Sequence, residues 1–176
     1  MSPERATVGV SEATSDDLVS VAHLLREAWQ EAGPGAAGFA GATDAVIDEI
    51  SRPEALRPLV NSRNRRLFVA RDGDRVVGFA ATRSLDHETV ELAGIIVLIG
   101  MAGRGIGTAL MDRSIDVCRA DGFRRMLVHT ETTNEDAIRF YAHLGFESTG
   151  TAIDDVEGTD VEVLVMERAL DPAESS

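Results

Sequence analysis

The residues best placed to do chemistry stand in the stretch MAGRGIGTAL, Met101 to Leu110. Gly103, Gly105 and Gly107 alternate with other residues between an apolar run, VELAGIIVLIG, and a segment with helical spacing. Glycine tolerates positive φ and lets a ligand reach the peptide nitrogens. The first turn of a helix adds unsatisfied N–H groups and a partial positive charge. Together these describe an anion site, most often for phosphate, with Arg104 available as a side-chain charge. A tight turn without a ligand has the same spacing. Two phosphate motifs are excluded. A P-loop needs a Lys-Ser/Thr pair, and all seventeen basic residues of this chain are arginine. The dinucleotide fingerprint G-x-G-x-x-G fails because Thr108 stands where its third glycine belongs.

These residues need elements to hold them. Ser15 predicts an N-cap with Asp16 and Asp17 in the first turn, and Leu18, Val21, Ala22, Leu25 and Trp29 continue at helical spacing to about Gln30. EAGPGAAGFAGAT reads as a loop. Short helices are predicted over Asp44–Ile50 and Pro53–Asn61. RRLFVARDGDRVVGFAATRS reads as two strands turning at Asp72-Gly73-Asp74. TVELAGIIVLIG is a third strand, and its nearly unbroken apolar run predicts a central position covered on both faces. Gly94 within it predicts a bulge or a close approach. A helix follows over Thr108–Asp121, with Leu110, Met111, Ile115 and Cys118 inward and Gly122 as its stop. RRMLVHTE is a strand, Asn134 caps a helix that Gly145 ends, and strands over 147–153 and 161–168 flank an acidic loop, DDVEGTD. The expected architecture is a mixed α/β sheet flanked by helices, one domain over residues 7–169 between a flexible 1–6 and a frayed 170–176.

IIVLIGMAGRGIGTAL followed by TTNEDAIRFYAHLGFE resembles the GNAT superfamily of N-acetyltransferases. That family's loop reads Gln/Arg-x-x-Gly-x-Gly/Ala, and Gly105 and Gly107 match its small positions. Its later segment reads Asn-x-x-Ala-x-x-x-Tyr-x-x-x-Gly-Phe, matched by Asn134, Ala137, Tyr141, Gly145 and Phe146. The element order agrees as well. Two positions depart: Ala102 occupies the Gln/Arg place, and Ile99 stands where proline is common. Loss of the side chain at 102 removes one pyrophosphate contact, so weaker affinity is expected with the site retained.

The resemblance implies acetyl-CoA as co-substrate and no metal. Ala102, Gly103, Arg104, Gly105, Ile106, Gly107 and Thr108 would cradle the pyrophosphate, and Ile95, Ile96 and Val97 would pair with the pantetheine arm like an added strand. The Val97 N–H would serve as oxyanion donor. Tyr141, the only tyrosine, fits the family's general acid for the departing sulfur, or a core aromatic beside Phe140 and Phe146. Asn134 would cap its helix and hydrogen-bond the pantetheine. The attacking amine must lose a proton. Glu91, which interrupts an apolar strand, is the first candidate base, with His87 and His129 as alternatives.

Composition bounds the rest. A net charge of −13 disfavours nucleic acid and favours cationic partners such as amines. No apolar run approaches a membrane span, and the N-terminal residues carry no apolar signal core, so a cytoplasmic protein is expected. Cys118, the single cysteine, falls on an apolar helical face and reads as a buried thiol rather than a nucleophile. The acceptor amine belongs to a small molecule or a protein N-terminus. Asp44, Asp48, Asp154, Asp155 and Glu157 are either its attractors or part of a generally acidic surface. A non-catalytic acetyl-CoA sensor is the alternative reading, and the resemblance leans towards a homodimer.

Overall fold

Two runs of consecutive buried residues, Leu67–Ala70 and Val76–Thr82, mark strands that are covered on both faces. The computed structural model describes residues 8–34, 36, 38, 39 and 41–171. The expected flexible segment 1–6 and most of the 170–176 tail lie outside the described residues. In chain order the elements are β1 (Gly9–Glu12), α1 (Leu18–Ala32), α2 (Asp44–Ile50), α3 (Pro53–Leu56), α4 (Pro58–Asn61), β2 (Arg65–Asp72), β3 (Arg75–Ser84) and β4 (Thr89–Val97). They continue with α5 (Ile106–Ala120), β5 (Arg125–Glu131), α6 (Glu135–His143), β6 (Glu147–Val156) and β7 (Thr159–Ala169). One sheet has the order β1-β2-β3-β4-β5-β7-β6, antiparallel except where β4 meets β5. No helix among the described residues is long and apolar enough to cross a membrane.

Side-chain alternation along β3 assigns its two faces. Gly78 abuts Leu110 of α5, and Thr82 lies on the side of Cys118 of the same helix. Phe79 and Ala81 face the other way, beside Leu25 of α1. The helices therefore sandwich the central strands, and Phe68, Leu110, Met111 and Met126 are among the fully buried core side chains.

Several local expectations are corrected. The 3-10 turn Ser15–Asp17 that leads into α1 is capped by Thr14, not Ser15: the Thr14 N–H donates to the Asp17 carboxylate at 2.8 Å and the Asp17 N–H donates to the Thr14 carbonyl at 3.0 Å. Residues 53–61 split into α3 and α4 at Pro58, whose ring and missing N–H interrupt a continuous helix. β1, four residues long, gave too short a pattern to register. The acidic loop is mostly strand. Only Glu157 and Gly158 turn, both at positive φ (49° and 84°), as a two-residue hairpin turn requires. β4 is central but is covered on both faces only at its start; its residues from Ala93 to Val97 remain partly or fully exposed.

Gly78 is the tightest point of the sandwich. A Cβ there would lie 3.0 Å from the Ile96 carbonyl oxygen and 3.2 Å from a Leu110 methyl. The β3–β4 ladder fixes that carbonyl, so relief must come from the backbone. Gly78→Ala is expected to destabilise the fold by about 1–3 kcal/mol. Urea unfolding should show a lower midpoint at unchanged m-value.

Candidate active site

The site begins where two strands part. β4 and β5 pair in parallel from Thr89↔Arg125 to Leu92↔Val128 and no further. The β3–β4 register slips at the same place, Ala81 facing Gly94 while Thr82 faces Leu92, so Ala93 is a bulged extra residue. The expected bulge at Gly94 is thus seated on its neighbour, and no atom lies within 4 Å of a Cβ built at Gly94. Beyond the bulge, Leu98 N donates to Val77 O at 3.1 Å, which makes Gly78↔Val97 a non-hydrogen-bonded pair. The N–H groups of Val97 and, two residues back, Ile95 therefore point away from β3 into the gap left by β5. That gap belongs to a cleft of about 1120 Å³, ample for two reactants.

The glycine loop forms one end of this cleft. Gly103 (φ 75°) and Gly105 (φ 76°) adopt left-handed conformations that only glycine takes without cost, and nothing occupies the space a side chain would fill. Gly105 is the N-cap of α5 and no side chain caps that helix, so its leading amides have no protein acceptor inside the helix. Ala102, Gly103, Gly105, Ile106, Gly107 and Thr108 line the cleft, as do Ile95, Ile96 and Val97. Arg104 does not: its guanidinium turns to Asp72 at 3.5 Å and to the Met101 sulfur at 3.3 Å.

Asn134 and Tyr141 join the loop in the cleft through α6. The Asn134 side-chain oxygen accepts from Ala137 N at 3.2 Å, which caps the helix and leaves its NH₂ available. Tyr141 is 6% exposed, held edge-on between Phe140 and Phe146 with ring centroids 5.3 and 5.7 Å away. Burial pushes its pKa up to about 12, so the phenol stays protonated at neutral pH and keeps a proton to donate. Cys118 is likewise raised by burial, to about 11, and is no nucleophile.

Glu91 is not brought to this site. It precedes the bulge, lies outside the cleft lining, and gives one carboxylate oxygen to Arg83, at 3.1 Å from Nε and 2.5 Å from Nη2. His87 stands in the exposed turn before β4. His129 is the first residue of β5 past the last β4–β5 pair, and it lines the cleft. Its Nδ1 lies 3.0 and 3.1 Å from the two oxygens of Asp154 on β6. Of the five acids expected to attract a cation, only Asp154 reaches the cleft. Asp44 accepts from the Trp29 indole at 2.7 Å, and Asp155 from Gly158 N at 2.6 Å. Sequence reasoning missed Asp154 as the partner of His129, and missed the apolar wall to which Val46 and Ile50 contribute. The i,i+4 spacing of those two was the available signal. Among the described residues no group of three or more His, Cys, Asp or Glu side chains is arranged to hold a metal ion.

Comparisons with known proteins agree with this geometry. The model of the acetyltransferase (GNAT) family matches residues 20–146. N-alpha-acetyltransferase 30 of Schizosaccharomyces pombe is 36% identical over 83 residues, 45% of this chain and 55% of that protein. The chain thus spans about half the length of the curated relatives it matches. A putative acetyltransferase from Salmonella typhimurium, solved with its cofactor acetyl-CoA, superposes with a TM-score of 0.68 at 24% identity, covering 96% of each chain. The PaiA N-acetyltransferase of Thermoplasma acidophilum, solved with coenzyme A, gives 0.70 at 17% identity over 93% of this chain and 99% of that one. At these identities the two structures establish the shared fold.

Because Tyr141 is the only tyrosine, its ionisation can be followed alone. Below about pH 10, the ordinary phenol value, folded and unfolded chains both keep the proton and Tyr141 leaves stability unchanged. Between about pH 10 and 12 the unfolded chain ionises first and stability falls. Near-ultraviolet titration should show no phenolate in the folded protein at pH 10.5 or thereabouts, appearing near pH 12 or on unfolding.

Proposed function

The chain belongs to the acetyltransferase (GNAT) family, and from that premise we propose that it transfers the acetyl group of acetyl-CoA directly to a primary amine of a small molecule or a protein N-terminus. The observation that carries this reading is the sharing of one cleft by three groups. These are the outward-facing β4 amides, the uncapped start of α5 and the protonated Tyr141. Acetyl-CoA, when bound, supplies an acetyl group activated as a thioester.

The residues present fit that molecule. The amides from Gly103 to Thr108 hold the diphosphate, helped by the α5 dipole. The open space beside Gly103 and Gly105 lets the phosphates approach. The free edge of β4 at Ile95 and Val97 takes the pantetheine amides as an added strand, and the Asn134 NH₂ steadies the same arm. The Val97 N–H donates to the thioester oxygen. The neutral amine forms the C–N bond as the carbonyl electron pair moves to oxygen; on collapse the C–S bond breaks, Tyr141 gives its proton to the sulfur, and the proton shed by the now cationic nitrogen restores the phenol.

The ammonium must first be deprotonated, and that task falls to His129. Imidazole exchanges protons at neutral pH, and Asp154 accepts from Nδ1–H, which leaves Nε2 as the acceptor. Glu91, the first candidate from the sequence, remains in its ion pair with Arg83 and ties β3 to β4.

Thiol release from acetyl-CoA with a panel of primary amines tests these roles. Tyr141→Phe and His129→Gln are each expected to lower kcat about a hundredfold. Glu91→Gln is expected to stay within about threefold, since the partner of the half-open Arg83 is lost and no proton carrier. The opposite ranking of the His129 and Glu91 variants would return the base role to Glu91. Stabilisation by CoA without thiol release from any amine would leave a sensor.

A further inference from the structure

The cleft has two unlike walls. One carries His129, Glu131 and Asp154 from β5 and β6. The other comes from residues 25 to 81, and every residue of that span that lines the cleft is apolar or glycine. Buried members such as Ile47 and Phe79 belong to the core. Phe39, Val46, Ile50 and Leu59 do not: they remain partly open, Ile50 at 39% exposure. Leaving apolar surface in water is unfavourable by about 25 cal/mol per Å², so a row of such side chains facing a reaction cleft points to a ligand that covers them.

The local packing presents this wall deliberately. The Trp29 indole bonds Asp44, and the Arg26 guanidinium donates to Ser51 at 2.8 Å, which clamp the two ends of α2 onto α1. That clamp turns Val46 and Ile50 to the cleft and keeps Asp44 and Asp48 off it. Phe39 packs edge-on against Trp29 at 5.4 Å. Gly38 N reaches across to the Glu131 carboxylate at 3.2 Å, and Gly41 abuts Val156 so closely that a Cβ there would lie 3.1 Å away. Of the described residues between α1 and α2, Gly38, Phe39 and Ala42 therefore lie along the cleft.

We propose that the acceptor is a primary amine attached beside a bulky apolar group, and not a polycation. The inference rests on the acetyl-transfer reading above and deepens it. The amine lies at the His129–Asp154 end, and the apolar substituent covers Phe39, Val46, Ile50 and Leu59. A polyamine needs carboxylates spaced along its length; those of the cleft, Glu131, Asp136 and Asp154, all lie off this wall, which supplies none.

The test is thiol release at saturating acetyl-CoA with leucinamide, glycinamide and spermidine. Leucinamide and glycinamide carry the same amine and differ in the apolar branch alone. Leucinamide is expected to exceed both others in kcat/KM by at least about tenfold, the discrimination an apolar pocket gives. Ile50→Asp, at a half-open position, should bring the leucinamide-to-glycinamide ratio to within about threefold, and Ile50→Leu should preserve it. An unfolding curve for each variant separates a specificity change from a folding defect. Spermidine or glycinamide used as well as leucinamide, with acetyl transfer intact, overturns this proposal alone. Absence of thiol release from every amine overturns the transfer reading and this proposal with it.

Discussion

The separation of β4 from β5 after Leu92↔Val128 is the constraint on which the rest depends. A sheet normally leaves no interior backbone group unpaired, because a buried amide without an acceptor is costly. Here the bulge at Ala93 bends β4 while β5 continues to β7, and the edge that results lies in the middle of the sheet. The free β4 edge, the exposed face of Gly94 and the position of His129 all follow from that one divergence. So does the place of α5, since Leu98–Thr108 must run from the bent end of β4 to the helix start beside the gap.

The net charge poses an electrostatic question that the loop resolves. A chain at −13 repels a polyanion at long range. Its one arginine in the glycine loop is committed to Asp72. The proposed anion site is built from what an acidic surface cannot cancel: peptide dipoles at short range, aligned by a fifteen-residue helix and laid bare by glycines at positive φ. The same negative field that disfavours the donor at a distance favours a cationic acceptor. In the proposed reaction the two substrates would thus be held by different physics, local dipoles for one and general charge for the other.

In the proposed reaction Tyr141 and His129 divide the proton chemistry by environment. The phenol lies among rings and has its ionised form disfavoured by desolvation, so it keeps its proton at neutral pH. The imidazole stands at the edge of the cleft beside a carboxylate, in a setting that keeps one nitrogen committed and the other available. Position relative to the strand gap, more than residue type, separates these two from Glu91. That glutamate is four residues before Ile95 on the same strand and faces an arginine across the ladder.

Local signals in the sequence determined much. Helical and strand periodicities placed α1, α2, α5, α6 and the β2–β3 hairpin, because each element's own residues carry its pattern. The glycine loop and the Asn134–Phe146 segment were legible for the same reason: positive φ, capping and helix starts are short-range requirements written in consecutive residues. Contacts between distant segments were not. That His129 meets Asp154, that Glu91 meets Arg83, and that Val46 and Ile50 face the cleft all depend on strand register and on how α2 is clamped to α1. A one-residue change of register sends a strand's side chains to the other face. Only the assembled sheet, with its bulge at Ala93, decided which titratable groups share the cleft.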